Sequence, residues 1–472
     1  MGCTVTLSKL EGFSGKKILI LGAGVTGQSC ARFLKSQGAK IALADDQLRH
    51  LEGFDVVLAN SCRVEDWDLV LVSPGWKESH PLIESARSQG IEILNEIDLA
   101  WGLRASRAPQ QRWVAVTGTN GKTTTVEMVA AMLREGGLSA IACGNVGETV
   151  IDCVEKGDLY DVLVLELSSF QLHWMKDPEF VSVAILNIAD DHIDWHGSFD
   201  KYADAKVSLL SHTECAILNA QDPEVVTRTS HWRGQRVFYS LDTPAPGEIG
   251  VVEELLVDRA FVADAQEAAM LAEVIDVVPT VPHNVSNALA ASGIARSLNV
   301  SPELIRSALQ KFQLGRHRIE KVAEADGITW IDDSKATNPH AATASLLSAH
   351  SVIWIAGGLA KGAHMSALIA RTHPRLKAAI LIGKDRDLIT SELRMQAPHV
   401  EIFEIDPPVD YEVGGQSNSL MDKVVEKAME IAAPGDTVLL APACASMDQF
   451  LSYGDRGDRF ARAVRKVMKD DN

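Results

Sequence analysis

Cysteine is scarce and shows no pairing pattern. Cys3, Cys30, Cys62, Cys143, Cys153, Cys215 and Cys444 are scattered, odd in number and include no C-x-x-C. That spacing predicts a reducing, cytosolic compartment. No apolar run approaches the roughly 20 residues that span a bilayer. The opening stretch MGCTVTLSKLEGFSG lacks the basic-then-apolar build of a secretory leader. Positive charge is also in short supply: 45 Lys and Arg face 63 Asp and Glu, for a net charge of −18 without any long basic block. Such a chain is repelled by phosphate backbones and anionic membranes. A cytoplasmic protein with no nucleic-acid partner and no membrane insertion is therefore expected. Low-complexity tracts and short-period repeats are absent as well.

The 472 residues, 46% of them apolar, can fill two to four separate cores. A unit recurs along the chain: a short β-rich apolar run, a glycine or polar turn, then a helical pattern. KKILILGAG, WVAVTGTNG, DVLVLELSS, VSVAILNIADD, SVIWIAGG, AAILIGKD and DTVLLAPACAS all have this form. Strands alternating with helices predict an α/β protein with parallel sheets. Ligands then gather beyond the carboxyl ends of the strands. Polar, Pro-bearing GLRASRAPQQR (102–112) and the stretch FQLGRHR (312–318) suggest two breaks. Three domains are expected, at 1–108, 109–314 and 315–472. Within the middle one, residues 241–282 read as hairpins followed by a helix and a Pro-bounded loop.

The stretch VAVTGTNGKTTT (114–125) carries the clearest chemistry. A phosphate-binding loop of the form G-x-x-x-x-G-K-[ST] wants a glycine where this chain has Val116. The remaining parts are in place, with Thr117, Gly118, Thr119, Asn120 and Gly121 left to wrap the phosphates. Backbone N–H groups at a strand-to-helix turn converge on anionic oxygens, and the helix dipole favours them. Lys122 can reach the β- and γ-phosphates, and the Thr123 hydroxyl, followed by Thr124, can ligate Mg²⁺. A carboxylate at a neighbouring strand end completes such a site, and Glu166 follows the apolar run Val162 to Leu165. The next strand ends in ADDHIDWH, where Asp190, Asp191, His192, Asp194 and His196 crowd together. Alone, that cluster reads as a magnesium site, a zinc site or a solvated loop, and its oxygen-rich mix suits a hard cation best. Near the N-terminus, ILILGAGVTG sets Gly22, Gly24 and Gly27 after a strand, with Asp45 18 residues beyond. That satisfies a dinucleotide fingerprint and by itself points to NAD.

The strings TGTNGKTT, LELSSFQL, NIADDHIDWH, KYADAKVSLL, HNVSNALAA, WIDDSKATNPHA and APACASMDQF together resemble the Mur ligases, ATP-dependent amide-bond-forming enzymes of peptidoglycan synthesis. DDSKATN and APACASMDQF resemble the branch that adds D-glutamate to UDP-N-acetylmuramoyl-L-alanine, and no DNPR-type motif of the diaminopimelate- or lysine-adding relatives occurs. The resemblance covers nearly the whole chain. It implies a Rossmann-like UDP-binding N-terminal domain, a central P-loop-type ATPase with a mixed sheet, and a Rossmann-like C-terminal domain.

On this resemblance the loop from Thr117 to Thr124 takes ATP, and Asn287 contacts adenine. Glu166 and His192 match positions at two Mg²⁺ sites. Lys206 matches a lysine that is carbamylated, which would turn a cation into an anionic oxygen donor for the second Mg²⁺. Val25, Thr26, Asp45 and the turn Ser73-Pro74-Gly75 hold the UDP of the sugar nucleotide, and Asn145 faces its muramoyl part. Gln47 stands where an arginine is common. Asp333 and Lys335 lie near ATP and the acyl phosphate. Thr337, Lys361, Ser446 and Tyr453, the last in place of a common phenylalanine, hold D-glutamate. His192 reads either as a metal-shell residue or as a contact to the amino acid. Arg318 reads either as an ATP-side cation or as a hinge arginine. The expected partners are small molecules and the expected state is a monomer. Three rivals stand beside this reading: a superfamily ligase with another acceptor, an NAD-dependent oxidoreductase built on GAGVTG, and a non-catalytic nucleotide switch.

Overall fold

The computed structural model describes residues 12–48 and 51–470. Cys3 and the first 11 residues of MGCTVTLSKLEGFSG lie outside the described residues. The six cysteines within them are free thiols. No helix among the described residues is long and apolar enough to cross a membrane.

Three sheets carry the strands, and the first strand of each of the first two is a run buried on both faces. The first comprises β1 (Lys17–Leu21), β2 (Lys40–Asp45), β3 (Val56–Leu58), β4 (Leu69–Val72) and β5 (Glu92–Asn95), all parallel, in the order β3-β2-β1-β4-β5. Ile18 through Leu21 are wholly buried, which is why the run reads as continuous rather than alternating. The order reverses between β1 and β4, and crevices of parallel sheets open at such a point. Helices α1 (Val25–Ser36), α2 (Pro81–Ser88) and α3 (Glu96–Arg107) cover this sheet.

The second sheet has nine strands: β6 (Arg112–Thr117), β7 (Ala140–Gly144), β8 (Val162–Glu166), β9 (Val183–Ile185), β10 (Cys215–Asn219), β11 (Gln235–Tyr239), β12 (Glu248–Val252), β13 (Leu255–Asp258) and β14 (Ala269–Glu273). Their order is β14-β13-β12-β11-β10-β9-β6-β8-β7. It is parallel from β7 through β12 and antiparallel at β12-β13-β14. The helices that follow α3 in the chain are α4 (Lys122–Glu135), α5 (Val150–Glu155), α6 (Ser169–Trp174), α7 (Ile193–His196) and α8 (Phe199–Val207). The helix expected after the hairpins is a correction: AMLAE forms β14, which pairs with β13 across a bulge between Leu256 and Val257. Helix-favouring alanines are overruled because Leu271 and Ala272 bury against the sheet's core.

The third sheet comprises β15 (Glu320–Ala325), β16 (Ile328–Asp332), β17 (Val352–Gly357), β18 (Leu376–Ile382), β19 (Glu401–Glu404) and β20 (Thr437–Leu440). Its order is β15-β16-β20-β17-β18-β19, with only β15 antiparallel. Alternate residues of β17 feed separate cores on the two faces: Trp354 enters one, Ile353 and Ile355 the other.

Contacts divide the chain into two compact units. One runs to Ile188 and includes Asp200–Phe312; the other holds Ala189–Phe199 and continues from Gln313. The break expected at FQLGRHR is an irregular connection at this division. The break expected at 102–112 is different, because residues 102–107 are the last turns of α3.

Within the first unit, the first two sheets are joined through buried polar groups. Ile151 N donates to Glu96 Oε1 at 2.9 Å, Asn95 Nδ2 to the Trp174 carbonyl at 2.7 Å, and Ser29 Oγ to Asp152 Oδ2 at 2.8 Å. Asp98 Oδ1 accepts from the Lys176 and Asp177 amides. Burial pushes the Glu96 carboxyl up to about 7 and that of Asp98 up to about 6.

Candidate functional site

The loop after β6 turns on Gly121, whose φ of 83° lies in the left-handed region. Gly121 is also the N-cap of α4, so the turn delivers the chain directly into a helix N-terminus. Thr117 Oγ1 donates to the Leu167 carbonyl at 2.9 Å, and Thr119 Oγ1 lies 2.8 Å from the Tyr202 hydroxyl. Lys122 Nζ donates to the carbonyls of Gly118 and Thr119 at 2.8 and 2.9 Å. The lysine thus folds over its own loop. Thr123 and Thr124 are buried at the first turn of α4. Asn287, on the helix Pro282–Ser297, is buried with its Oδ1 against Gly121.

Asn187, two residues beyond β9, belongs to this site although no sequence motif marks it. Its side chain accepts from the Asn120 amide at 2.8 Å and donates to the Asn120 carbonyl at 3.1 Å, while its own carbonyl accepts from Thr119 N. The string NIADD offered only a polar residue at a strand end as a hint.

Glu166 ends β8, in register with Val116 of β6. Its side chain is buried. Oε1 accepts from Asn145 Nδ2 at 2.7 Å, and the equally buried Oε2 has no protein partner. An unbonded buried carboxylate oxygen is costly unless something else satisfies it. A hard divalent cation is the group that such an oxygen, next to a phosphate loop, is suited to hold. Lys206, on α8, is buried too; its ammonium donates to the Gly118 carbonyl at 2.9 Å and lies 4.7 Å from the centre of the Tyr202 ring. The structure therefore brings Lys206 and Lys122 to one carbonyl of the loop.

On the first sheet, a β-carbon at Gly27 would collide with the Gly22 carbonyl, so α1 can pack this closely only through glycine. The N-cap of α1 is Gly24, with no side chain capping the helix, and Val25 is 72% exposed. Asp45 accepts from Ala23 N at 2.9 Å and from Gln47 N at 3.4 Å. Gly75 lies in the exposed turn after β4.

In the second unit, His192 has φ 52° and its amide donates to Asp191 Oδ1 at 3.0 Å. Asp333 is buried and accepts from Ser345 Oγ and, at 3.3 Å, from Ile319 N; burial lifts its carboxyl to about 7, against the opposing pull of the Arg318 charge. Lys335 Nζ lies 3.9 Å from the centre of the Tyr453 ring, within cation–π reach. Lys361, at φ 50°, sits in an exposed turn whose neighbour Leu359 bridges to Ala445, next to the buried Ser446. Thr337 follows on the loop from Lys335.

Arg456 was not singled out from sequence, although it organises this loop cluster. It is fully buried, and it donates to Ser334 Oγ and the carbonyls of Ser334, Cys444 and Gly357 at 2.9–3.4 Å. Those acceptors belong to the loops that carry Lys335, Ser446 and Lys361. Burial lowers its guanidinium to about 10.

Comparison with known proteins follows the same three-part order. Residues 16–95 match the Mur ligase MurD-like N-terminal domain, 116–295 the Mur ligase middle domain, and 317–444 the Mur ligase glutamate ligase domain. The UDP-N-acetylmuramoylalanine–D-glutamate ligase of Streptomyces coelicolor is 45% identical over 96% of this chain and 99% of its own length. That of Mycobacterium avium is 41% identical over 96% and 97%. Two solved structures from Thermotoga maritima share the fold: UDP-N-acetylmuramate–alanine ligase at 19% identity, and the MurF ligase in complex with ADP at 15%. Each has a TM-score of 0.58 and covers at least 96% of this chain and 98% of its own. With three domain matches in chain order and relatives matched end to end, this chain belongs to the Mur ligase family of ATP-dependent amide-bond ligases.

Proposed function

We propose that this protein joins D-glutamate to UDP-N-acetylmuramoyl-L-alanine at the expense of ATP, releasing ADP and phosphate, in cytoplasmic peptidoglycan precursor synthesis. The structural observation that carries the reading is the layer of strand ends where a phosphate loop meets a buried carboxylate with one unbonded oxygen. The names of the full-length relatives supply the substrates.

The L-alanyl carboxylate attacks the γ-phosphorus of ATP, the bond to the β-phosphate oxygen breaks, and ADP leaves. The acyl phosphate so formed has the leaving group that a free carboxylate lacks. The amine of D-glutamate then adds to the acyl carbon, a proton is lost, and phosphate is expelled. Gly118 to Thr124 cradle the triphosphate, with Lys122 released from its own loop carbonyls to the phosphates, and Asn287 flanks the nucleoside. Thr123 and Glu166 would hold one Mg²⁺; His192 and a carbamylated Lys206 are assigned to a second. Such ions supply charge neutralisation between an anionic nucleophile and an anionic phosphate. Val25, Thr26, Asp45, Gly75 and Asn145 are assigned to the sugar nucleotide. Arg318, Asp333 and Lys335 serve the phosphate side, and Thr337, Lys361, Ser446 and Tyr453 the D-glutamate. Paired cations and hydroxyls suit a dicarboxylate. The protein acts as a monomer.

The test is phosphate release with UDP-N-acetylmuramoyl-L-alanine, ATP and Mg²⁺, comparing D-glutamate with L-glutamate, L-alanine and diaminopimelate. Release driven by D-glutamate alone supports the reading. Release indifferent to the amino acid points to a nucleotide switch, and preference for another acceptor to a different ligase.

A further inference from the structure

We infer that Trp76 is an additional hydrogen-bond donor to the diphosphate of the sugar nucleotide. The inference rests on the assignment of a UDP-linked substrate to the first sheet. The crevice between the carboxyl ends of β1 and β4 is the point where strand order reverses. Gly22 leaves β1 there, with φ 106°, and Ser73 leaves β4 opposite it. A β-carbon on Gly22 would lie 2.6 Å from Ser73 Oγ and 3.0 Å from Trp76 Nε1. Two side-chain donors thus converge on the glycine turn, beside the uncapped N-terminus of α1. Ser73 Oγ is buried without a protein partner. Trp76 Nε1 takes no acceptor among the described residues. An indole nitrogen can only donate, so both groups point to an oxygen-bearing ligand between them.

The indole is held for this task. Its ring stands edge-on to His80 with centroids 4.5 Å apart, and His80 is fixed as the N-cap of α2 by the Leu82 amide. The Trp76 carbonyl accepts from Trp174 Nε1 at 3.2 Å, and Trp174 is itself buried at the end of α6. The turn is closed by Trp76 N donating to the Ser73 carbonyl. A neutral donor of this kind suits a chain in which Gln47 leaves the neighbouring loop without a cation at that position. Because it is preorganised, little ordering cost falls on binding.

The experiment is calorimetric titration of the full-length protein with UDP and with uridine, for wild type, Trp76→Phe and Trp76→Leu, with thermal unfolding and ADP titration as controls. Phenylalanine keeps the ring and removes only the N–H. The expected result for Trp76→Phe is a loss of about tenfold in UDP affinity, the size of one charge-assisted hydrogen bond, with uridine and ADP affinities unchanged. Trp76→Leu is expected to lose as much or more for UDP. Equal loss for UDP and uridine in Trp76→Phe would show the ring packing on the nucleoside and overturn the inference, as would no loss at all. A wild type that binds ADP but neither UDP nor uridine would instead remove the substrate assignment itself, and this inference with it.

Discussion

Asn287 Oδ1 occupies the space that a β-carbon on Gly121 would need. The asparagine assigned to the nucleoside and the pivot of the loop assigned to the phosphates are therefore one packed unit. Gly121→Ala meets two penalties, the collision and a φ of 83° that L-residues avoid. The asparagine can yield only by turning from the position assigned to the nucleoside. ADP affinity should fall by more than about tenfold, roughly the 1–2 kcal/mol of the left-handed backbone alone. Sugar-nucleotide affinity should be unchanged. Calorimetric titration with each ligand separates the two, and normal ADP binding in this variant would contradict the loop's role.

Asn187 supports a companion prediction. Its side chain makes two hydrogen bonds to the backbone of Asn120, in the middle of the phosphate loop. Asn187→Ala removes both at about 1 kcal/mol each, and leaves the Thr119 bond to the residue 187 carbonyl intact. ADP affinity should fall about tenfold. The Mg²⁺ concentration for half-maximal activity should move little, because Glu166 is held separately by Asn145.

These two residues also mark what could be read in the sequence. The strand-end positions of Thr117, Glu166 and Asp45 follow from apolar runs of the right length, because parallel strands buried on both faces leave their first polar residue at the carboxyl edge. Asn187 and Arg456 act through backbone atoms far away in the chain, and no spacing rule links 187 to 120 or 456 to 334. The same holds for AMLAE, whose helical composition gave way to pairing with β13. The resemblance supplied the roles of Lys206 and Tyr453; local pattern alone left Lys206 a helix lysine, whereas the structure buries it against Gly118.

Glu96 should make stability depend on pH. Its folded carboxyl is raised from an ordinary 4.5 to about 7, chiefly by burial. The folded state therefore holds a proton that the unfolded chain releases between these values. This contribution to stability is fully present below about 4.5 and is lost as pH rises through about 7. Glu96→Gln keeps an acceptor for the Ile151 amide and cannot ionise. The difference in Tm between variant and wild type should grow in the variant's favour from pH 5 to pH 8. A difference independent of pH would show that Glu96 does not titrate in this window.

Arg456 supports the last prediction. A buried guanidinium that reaches three strand-end loops through neutral acceptors fixes the relative positions of Lys335, Lys361 and Ser446 without itself being assigned to any ligand. Arg456→Ala leaves the Ser334 and Cys444 carbonyls buried and unpaired, at about 1–3 kcal/mol each. Arg456→Lys keeps the charge but not the planar fork that spans the loops. If the role is positioning, the KM for D-glutamate should rise at least about tenfold in Arg456→Lys, while the affinities for ADP and UDP stay at wild-type values. A purely structural role predicts instead a lower Tm with the KM for D-glutamate unchanged in the molecules that remain folded. Measuring KM for the amino acid below the unfolding transition decides between them.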